Sequence, residues 1–471
     1  MHRIRFISLL VLDLTHALAL GFNLHQPPRR CFGDGRNPPP PDSFPDGSFD
    51  PRSFFRFELI HQSSKSGARV GRIHTPHGVV DTPGFTAVAT NGALKALDIR
   101  DADAAGQQLL FANSYHLLLQ PGPEIIKAAG GLHKFMGRRS GPIITDSGGF
   151  QIFSLAHGSV HNDVGALNND ASSNNGGGGG GGGGGGRGGE LKRAASGGSK
   201  KNINKKKGTD HCASTSMVRV NETGVVFRSY RDGRSILLTP EGTVQAQKAY
   251  ASDIIIPLDE LPPYSTSPER LRESVELSHR WEERSLREHL ASLNDQAMFC
   301  VVHGGVDKEL RAASADYLSS MPFDGFGIGG SLGSSHGEMI DMLSFLLPRL
   351  PSEKPKHLLG IADERSIRAA VPLGVDTFDS CFPTRIARHG TVLSRKEGRL
   401  NLRSASLARA FGKPICSECS CPTCRNYDLA YLHHLSKAKE PLLHSLASVH
   451  NIQYMNDLMR DIREAIMRDE I

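Results

Sequence analysis

The sequence predicts a (β/α)₈ barrel, an α/β fold of the TIM-barrel type, with an appended C-terminal zinc-binding subdomain. Two observations predict this architecture. Eight short apolar segments alternate with helix-like segments along the chain, and three cysteines and a histidine are grouped near its end. Continuous apolar strands that alternate with helices indicate a parallel sheet covered on both faces, and eight repeats allow that sheet to close. On the rhythm alone, an open doubly wound sheet is the alternative.

Each predicted strand ends at a glycine or a polar residue. The eight segments are 86–90, 109–113, 142–146, 253–259, 298–303, 325–329, 357–362 and 376–379. The active site of such a barrel lies at the carboxyl ends of its strands. Those ends carry Asn113, Asp146, Asp259, His303, Gly329 with Gly330, and Asp379. Three carboxylates are therefore expected to meet at one rim.

The 471 residues consist of a core and two segments whose composition differs from that of the core. Residues 1–52 are predicted to be a targeting leader and a disordered extension. Residues 53–400 form the barrel, interrupted by a low-complexity insertion at 160–216 that holds eleven consecutive glycines and a lysine-rich run. Such a tract buries too little apolar surface to fold. Residues 401–471 are predicted to form the zinc-binding subdomain and a C-terminal helix.

The N-terminus has the features of a signal peptide. Basic residues precede the apolar stretch 6–12, and the small-x-small pattern Ala17-Leu18-Ala19 follows. Residues 24–52, rich in Pro and Arg, look unfolded. This order resembles a bipartite plastid leader, so a plastid location is favoured, with a mitochondrial or cytoplasmic location as alternatives. The chain has no apolar run long enough to span a bilayer, and a net charge of +6 suits a polyanionic partner.

The cysteines near the C-terminus predict one zinc ion. Cys419, Cys421 and Cys424 are followed after twenty-five residues by His450. Zinc binds thiolates and imidazole in a tetrahedron, and four protein ligands leave no open position for water, so this metal is predicted to be structural. Three other histidines compete for the fourth position: His433, His434 and His444.

Two of the rim carboxylates lie in distinctive segments. Asp146 begins Asp-Ser-Gly-Gly-Phe-Gln, and Asp379 lies in Phe-Asp-Ser-Cys-Phe-Pro-Thr-Arg. Paired carboxylates suit chemistry through a cationic sugar, in which one attacks or stabilises C1′ and the other moves protons. The alternative is that Asp146 and Ser147 merely start a helix. The following Gly-Gly pair lets a planar ligand approach the backbone and favours function.

The order of these blocks resembles that of the tRNA-guanine transglycosylases. The blocks are 113–116, 146–151, 304–305, 329–330, 378–385 and the Cys₃His set. The similarity runs from about Phe55 to Ile466, broken by the insertion. It implies a barrel with a zinc subdomain, and an enzyme that exchanges guanine at the wobble position of tRNA for a 7-deazaguanine base. It also selects His450, which precedes Asn451, as the fourth zinc ligand.

The resemblance implies a role for each site residue. Asp379 would be the nucleophile that attacks C1′, and Asp146 would protonate the leaving base and deprotonate the incoming one. The base pocket would consist of Ser147, Phe150, Gln151, Asp259, His303, Gly329 and Gly330. Arg385 and Arg388 would contact phosphates, with a solvated surface role as the alternative.

Three departures from the family pattern resemble a chlamydial-type branch. His303 stands where most members have Gln, and Ser380 stands where most have Cys. Residues 331–333 replace a small-apolar run that ends in Gly-Glu, and whether Glu338 replaces that Glu is open. Gly333 at this position favours queuine, a base with a large cyclopentenediol, over the smaller precursor preQ1.

The resemblance thus implies a catalytic enzyme that inserts queuine into tRNAs with GUN anticodons (Asp, Asn, His and Tyr) through a covalent Asp–ribosyl intermediate. Exchange with preQ1 is one alternative. A non-catalytic tRNA-binding accessory subunit is another, disfavoured because both Asp146 and Asp379 are present. A homodimer is favoured, and a heterodimer with an accessory subunit is the alternative.

Overall fold

The computed structural model describes residues 37–157 and 218–471. The signal-like segment and the insertion at 160–216 lie outside the described residues. The strands, in chain order, are β1 (Arg56–Gln62), β2 (Arg69–Thr75), β3 (Gly78–Thr82), β4 (Gly84–Val88), β5 (Leu109–Ala112), β6 (Ile143–Thr145), β7 (Arg219–Asn221), β8 (Gly224–Arg228), β9 (Ser235–Leu238), β10 (Ile254–Ile255), β11 (Ala297–Val302), β12 (Gly325–Ile328), β13 (Lys356–Leu358), β14 (Thr377–Ser380), β15 (Thr391–Ser394) and β16 (Gly398–Asn401).

Helices follow most of these strands. They are α1 (Ile99–Ala104), α2 (Ser114–Leu119), α3 (Pro123–Ala128), α4 (Leu132–Met136), α5 (Gly149–His157), α6 (Pro240–Tyr250), α7 (Pro268–Ala291), α8 (Lys308–Ser319), α9 (His336–Leu346), α10 (Glu364–Ala370), α11 (Phe382–Arg388), α12 (Pro422–Asn426), α13 (Leu429–Ala438) and α14 (Leu442–Met467). Short 3₁₀ turns lie at Pro41–Ser43, Leu347–Arg349, Val371–Leu373 and Ala405–Leu407.

The predicted barrel is confirmed. Strands β4, β5, β6 and β10–β14 pair in parallel in this order, and β14 closes the ring on β4, where Asp379 is in register with Thr86. Each of the eight apolar segments overlaps one barrel strand. An additional antiparallel sheet, β7–β9, lies between β6 and β10 in the chain, and the sequence reasoning did not identify it.

Both faces of the barrel strands are buried, which is why they read as continuous apolar runs. In β11, Phe299 and Val301 belong to the interior cluster, whereas Met298, Cys300 and Val302 pack into the helix layer. Alternate side chains of a strand point to opposite faces. A strand enclosed on both sides therefore needs apolar residues at every position.

The N-terminal sheet of β1–β3 closes one end of the barrel. Ile73 and Val80 from this sheet, and Phe55 just before it, join the interior cluster. Arg69 forms a two-pronged ion pair with the fully buried Asp376, at 2.8 and 2.6 Å, which fixes the start of β14. The opposite end, where the strands terminate, is left for the functional site.

The C-terminal segment wraps back onto the barrel. Helix α14 packs against α11 and β15 and also contacts β4 and β2. The predicted boundary between the barrel and the zinc-binding subdomain, at residues 400 and 401, falls inside β16 of the β15–β16 hairpin. The division into these two domains stays a prediction. Within residues 37–157 and 218–471, none of the helices has the length and apolar content required to span a membrane.

Residues 37–52 differ from the unfolded extension that composition predicts. Phe44 is only 6% exposed, and the Arg287 guanidinium lies 4.6 Å from the centre of its ring. Arg52 forms a 3.0 Å ion pair with Asp324. One aromatic side chain and one arginine thus attach the segment to the barrel. Average composition does not reveal such single contacts.

Candidate active site and metal centre

Asp146 lies directly after β6 and is held by three hydrogen bonds. The backbone N–H of Ser114 donates to Oδ1 at 2.6 Å, and the side-chain amides of Asn113 and Gln151 donate to Oδ2 at 2.9 and 3.1 Å. Ser114 is the first residue of α2, so Asp146 receives an N-terminal N–H from the neighbouring βα unit. The alternative reading, in which Asp146 caps its own helix α5, does not describe these contacts.

The environment of Asp146 favours its protonated form. Burial raises its pKa to about 6, although the three hydrogen bonds oppose the shift, and the charge of Asp379 raises it further. Loss of solvation disfavours an ionised carboxylate, and a nearby like charge has the same effect. A carboxyl group with this pKa can both give and take a proton near neutral pH.

Asp379, in β14, is buried and is oriented by two donors. The Gly360 backbone N–H donates to Oδ1 at 2.7 Å, and Nε2 of His357 lies 3.1 Å from the same oxygen. Nδ1 of His357 is 2.8 Å from the Thr377 hydroxyl. A carboxylate only accepts, so Nε2 of this imidazole carries a proton toward Asp379.

The Asp-Ser-Gly-Gly-Phe segment forms a tight loop before α5. The Ser147 hydroxyl accepts from the Gly149 N–H at 3.2 Å. Gly148 has a φ of +85°, and a Cβ at this position would lie 2.8 Å from the backbone N of Tyr115. Only glycine fits here. Phe150 follows and is 40% exposed, so its ring is available at the rim.

His303, at the end of β11, faces two carboxyl groups. Its Nε2 lies 3.1 Å from Oδ2 of Asp259 and 3.8 Å from Oε1 of Glu282. His303 is 4% exposed, and its backbone N–H donates to Ser314. Glu282 projects from α7 and is fully buried. Burial, reinforced by the charge of Asp259, raises its pKa well above the ordinary value.

The two glycine turns beside His303 are held together by a buried arginine. Arg311, in α8, donates to four carbonyl oxygens at 2.6–3.0 Å, those of Val302, Gly305, Gly329 and Ser331. Burial lowers its pKa to about 9. A Cβ on Gly329 would lie 2.5 Å from Val301, and Gly330 has a φ of +72°. These positions therefore require glycine.

A cavity of about 320 Å³ adjoins this part of the rim. Its wall includes His303, Gly330 and the segments 260–264 and 304–307.

Helix α11, which follows the strand of Asp379, begins at Phe382. Its half-buried Arg385 and Arg388 follow the strand of Asp379, and Arg388 donates to the Thr384 carbonyl at 3.0 Å. Among the described residues, neither arginine forms a hydrogen bond or an ion pair with another predicted site residue.

Gly333 and Glu338 have structural roles that the sequence does not disclose. Gly333 has a φ of +111°, and a Cβ there would lie 2.6 Å from Glu338 Cβ. Glu338 accepts from the N–H and the hydroxyl of Ser334 at 2.7 and 2.9 Å and lies in the first turn of α9. Backbone geometry therefore accounts for Gly333, and helix capping accounts for Glu338.

The predicted metal ligands come together. Nδ1 of His450 lies 3.7, 3.6 and 3.2 Å from the sulfurs of Cys419, Cys421 and Cys424. Zinc bound at its usual distances in a tetrahedron separates its ligand atoms by about 3.5–3.8 Å. The four donors of this cluster fit such an ion.

The surroundings of His450 also fit a metal ligand. Its Nε2 lies 2.8 Å from the Leu393 carbonyl oxygen, so Nε2 carries the proton and Nδ1 is free to bind metal. His433, one of the competing histidines, instead lies with Nδ1 2.8 Å from the Leu402 carbonyl. The fold thus brings His450, rather than His433, to the cysteines.

A protein-family model described as queuine tRNA-ribosyltransferase matches residues 63–170 and 190–471. The chain belongs to this family. It is 49% identical over 419 residues to the queuine tRNA-ribosyltransferase of Protochlamydia amoebophila, a match that covers 89% of this chain and 97% of that protein. Proteins of the same name from Chlamydia caviae and Chlamydia pneumoniae are 44% and 45% identical, over 88% of this chain and 99% of each relative.

These matches confirm the family, including its chlamydial character, and the assignment to glycosyltransferases. They also correct one prediction. A plastid location is wrong, because the relatives that match 88–89% of this chain are bacterial proteins. The signal-like pattern was a weak compositional signal, interrupted by Asp13.

Several residues of the site were not assigned by the sequence reasoning. Asn113 was placed at the rim without a partner, and His357 was placed in a strand without a role. The signal for His357 is its register opposite Thr377, two residues before Asp379, on the neighbouring strand. Glu282 and Arg311 lie on helices, and nothing in their local pattern indicates that they face the barrel.

Proposed function

We propose that this chain is a catalytic queuine tRNA-ribosyltransferase that replaces guanine at the wobble position of tRNAs with GUN anticodons (Asp, Asn, His and Tyr). The observation that carries the proposal is the pairing of Asp146 and Asp379 at one rim of the barrel. The two groups differ in their surroundings. Burial raises the pKa of Asp146, whereas both donors to Asp379 bind its Oδ1. One group suits proton transfer and the other nucleophilic attack.

In the first step, Asp379 attacks C1′ of the wobble ribose. Both donors, Gly360 and His357, bind Oδ1, so we assign Oδ2 as the attacking atom. The C1′–N9 bond breaks as the C1′–Oδ2 bond forms, and the expelled guanine takes a proton from Asp146. The tRNA is then held as an ester of Asp379.

In the second step, the incoming 7-deazaguanine base loses its proton to Asp146. Its ring nitrogen then forms a bond to C1′, and the ester oxygen leaves, which restores the Asp379 carboxylate. While Asp379 is esterified it carries no charge. Burial still raises the pKa of Asp146, but the smaller contribution of the Asp379 charge is removed, so this pKa is lower in the esterified enzyme.

The base lies, in this proposal, between the Phe150 ring and the glycine turns. The Gly330 N–H and His303 donate to its carbonyl oxygen, Asp259 accepts from its Watson–Crick edge, and Ser147 and Gln151 support the pocket. The base must leave its stack in the anticodon loop to reach these groups. Arg385 and Arg388 are assigned to phosphates of that loop.

We assign the cluster of Cys419, Cys421, Cys424 and His450 to one structural zinc ion. Four protein ligands leave no site for a reacting water, so the ion would hold the C-terminal segment together and take no part in the chemistry. We further propose that the enzyme works as a homodimer, with a heterodimer as the alternative.

Exchange of labelled guanine into a wobble-G tRNA tests the function, with queuine and preQ1 as competing bases. Incorporation that queuine blocks and preQ1 blocks only weakly is the expected result. Stronger inhibition by preQ1 than by queuine would show that preQ1 is the base that the enzyme inserts. Absence of exchange by a protein that still binds the tRNA would instead indicate an accessory subunit.

A further inference from the structure

Glu282 is a buried acid beside His303 for which the mechanism above has no use. It is fully buried, and its Oε2 accepts from the Val301 N–H in β11 at 2.9 Å. Its other oxygen, Oε1, has no hydrogen-bond partner among the described residues. An unsatisfied buried carboxyl oxygen is destabilising, so this atom calls for an explanation.

Nε2 of His303, close to this oxygen, is a second buried polar atom without a hydrogen-bond partner among the described residues. The 3.1 Å approach of Asp259 is close, but it is not directed as a hydrogen bond. Oε1 of Glu282 lies 3.8 Å from this nitrogen. A small rotation of either side chain would bring the two unsatisfied atoms into hydrogen-bonding distance.

The opposite nitrogen of His303 faces the turn that is assigned to the base. Nδ1 lies 3.5 Å from the point where a Cβ on Gly330 would stand. In the proposed pocket the Gly330 N–H donates to the carbonyl oxygen of the base. His303 helps to hold that oxygen only if Nδ1 carries a proton, because a bare nitrogen lone pair would repel it.

The protonation state of Glu282 decides which ring nitrogen of His303 carries the proton. An ionised Glu282, together with Asp259, would place two acceptors on Nε2 and hold the proton there, away from the base. A neutral Glu282 is a donor, and Nε2 then acts as its acceptor, because Asp259 makes no directed hydrogen bond to Nε2 and is assigned to the Watson–Crick edge of the base. Full burial favours the neutral acid, in agreement with its raised pKa.

We propose that Glu282 is a positioning residue which, in its protonated form, donates a hydrogen bond to Nε2 of His303 and leaves Nδ1–H to face the carbonyl oxygen of the base. The proposal rests on the proposed function and deepens it. Glu282 would contribute to the selection of 6-oxopurines over purines that lack this oxygen. It would act only through His303.

Two substitutions distinguish the neutral acid from an ionised one. In Glu282→Gln, the amide can donate to Nε2 while its oxygen still accepts from Val301, so the KM for guanine should stay within about twofold of wild type. Glu282→Met cannot donate. We expect it to raise the KM for guanine about tenfold, while kcat changes little.

2-Aminopurine, which has no 6-carbonyl group, separates this effect from general damage to the pocket. Its inhibition constant in the guanine-exchange assay should be unchanged in Glu282→Met. In the His303→Gln background, where the amide donates whatever Glu282 does, Glu282→Met should cause no further rise in KM. Glu283→Gln is the matched control. Glu283 is equally buried but pairs with Arg287 and Tyr317, so this variant should lose stability without a change in KM.

Three results would overturn the proposal: a guanine KM unaffected by Glu282→Met, an equal loss of guanine and 2-aminopurine binding, or a Glu282→Gln variant with a tenfold loss of its own. Thermal unfolding checks that each variant folds. If Glu282→Met does not fold, Glu282→Gln alone still decides between the neutral and the ionised acid. If wild type fails to exchange guanine, the proposed function fails, and calorimetric binding of guanine still tests the pair.

Discussion

The Asn451 side-chain amide donates to the Pro383 carbonyl oxygen at 2.9 Å, and its oxygen accepts from the Leu393 N–H at 2.8 Å. Asn451 follows His450, the proposed metal ligand, in α14, and Pro383 lies in α11, four residues after Asp379. The Cys₃His cluster is thereby connected by hydrogen bonds to the helix that follows the proposed nucleophile. A cluster at the C-terminus can in this way influence the geometry of the rim.

Replacement of Asn451 by Ala should weaken this connection. Asn451 is fully buried, and its loss leaves the N–H of Leu393 and the carbonyls of Pro383 and Thr391 without their partner. We expect the free energy of unfolding to fall by about 3 kcal/mol, together with guanine exchange. Asn456→Ala is the control, because that residue makes one hydrogen bond from the same helix. Equal losses in the two variants would contradict the connection.

Removal of the metal should destabilise the C-terminal segment. Elemental analysis is expected to find one zinc per chain. After chelation, the melting temperature should fall, and hydrogen exchange should increase first in 419–424 and around residue 450, because the cysteines and His450 lie on separate segments that the ion would join. Re-addition of zinc should reverse both changes. Unaltered exchange in this segment after complete removal would argue against a structural ion.

The substitution Asp379→Asn should separate folding from chemistry. The amide oxygen can still accept from the Gly360 N–H, so the variant should keep its melting temperature and bind tRNA. It should form no covalent adduct with tRNA on a denaturing gel, because an amide oxygen is a poor nucleophile. Asp98→Asn, an exposed helix cap with an ion pair to Arg100, serves as control and should keep the adduct. An adduct in Asp379→Asn would refute the assignment.

The rate of adduct formation should fall as the pH rises through about 6, because Asp146 must be protonated to release guanine. The folded state raises this pKa above the ordinary value of 3.8, so it binds the proton more tightly than the unfolded chain. By linkage, the contribution of Asp146 to stability is therefore also lost between about pH 4 and pH 6 on raising the pH.

Asn113→Ala should move this pH dependence upward. The Asn113 amide stabilises the ionised form, and without it the pKa of Asp146 rises further. Single-turnover adduct formation, measured from pH 5 to pH 8, should keep its midpoint in Asn456→Ala and shift to higher pH in Asn113→Ala. A downward shift or an unchanged midpoint would show that Asp146 is not the proton donor.

The eight strands and the Cys₃His cluster could be predicted because both depend on local patterns. Apolar runs at regular intervals define the strands, and the spacing of Cys419, Cys421 and Cys424 fixes three ligands. The choice of His450 over His433 needed either the family resemblance or the fold, since both lie on helices. Glu282 and Arg311 have ionisable side chains and lie on helices, so the sequence alone suggests that they face solvent. Only tertiary packing shows that they are buried against the rim.

Gly148 should tolerate no side chain. Comparison with Gly137 separates the effect of backbone strain from the effect of the close approach to Tyr115. Gly148 and Gly137 both have positive φ, at +85° and +72°, but a Cβ would meet the Tyr115 backbone only at Gly148 and would stand in open space at Gly137. Gly137→Ala should cost about 1 kcal/mol of stability from backbone strain alone. Gly148→Ala carries the same strain and must also move α2, which holds Ser114 on Asp146. We therefore expect a loss of several kcal/mol by thermal unfolding and a loss of exchange activity beyond about tenfold. Similar stability and activity in the two variants would mean that the close approach at Tyr115 does not organise the site.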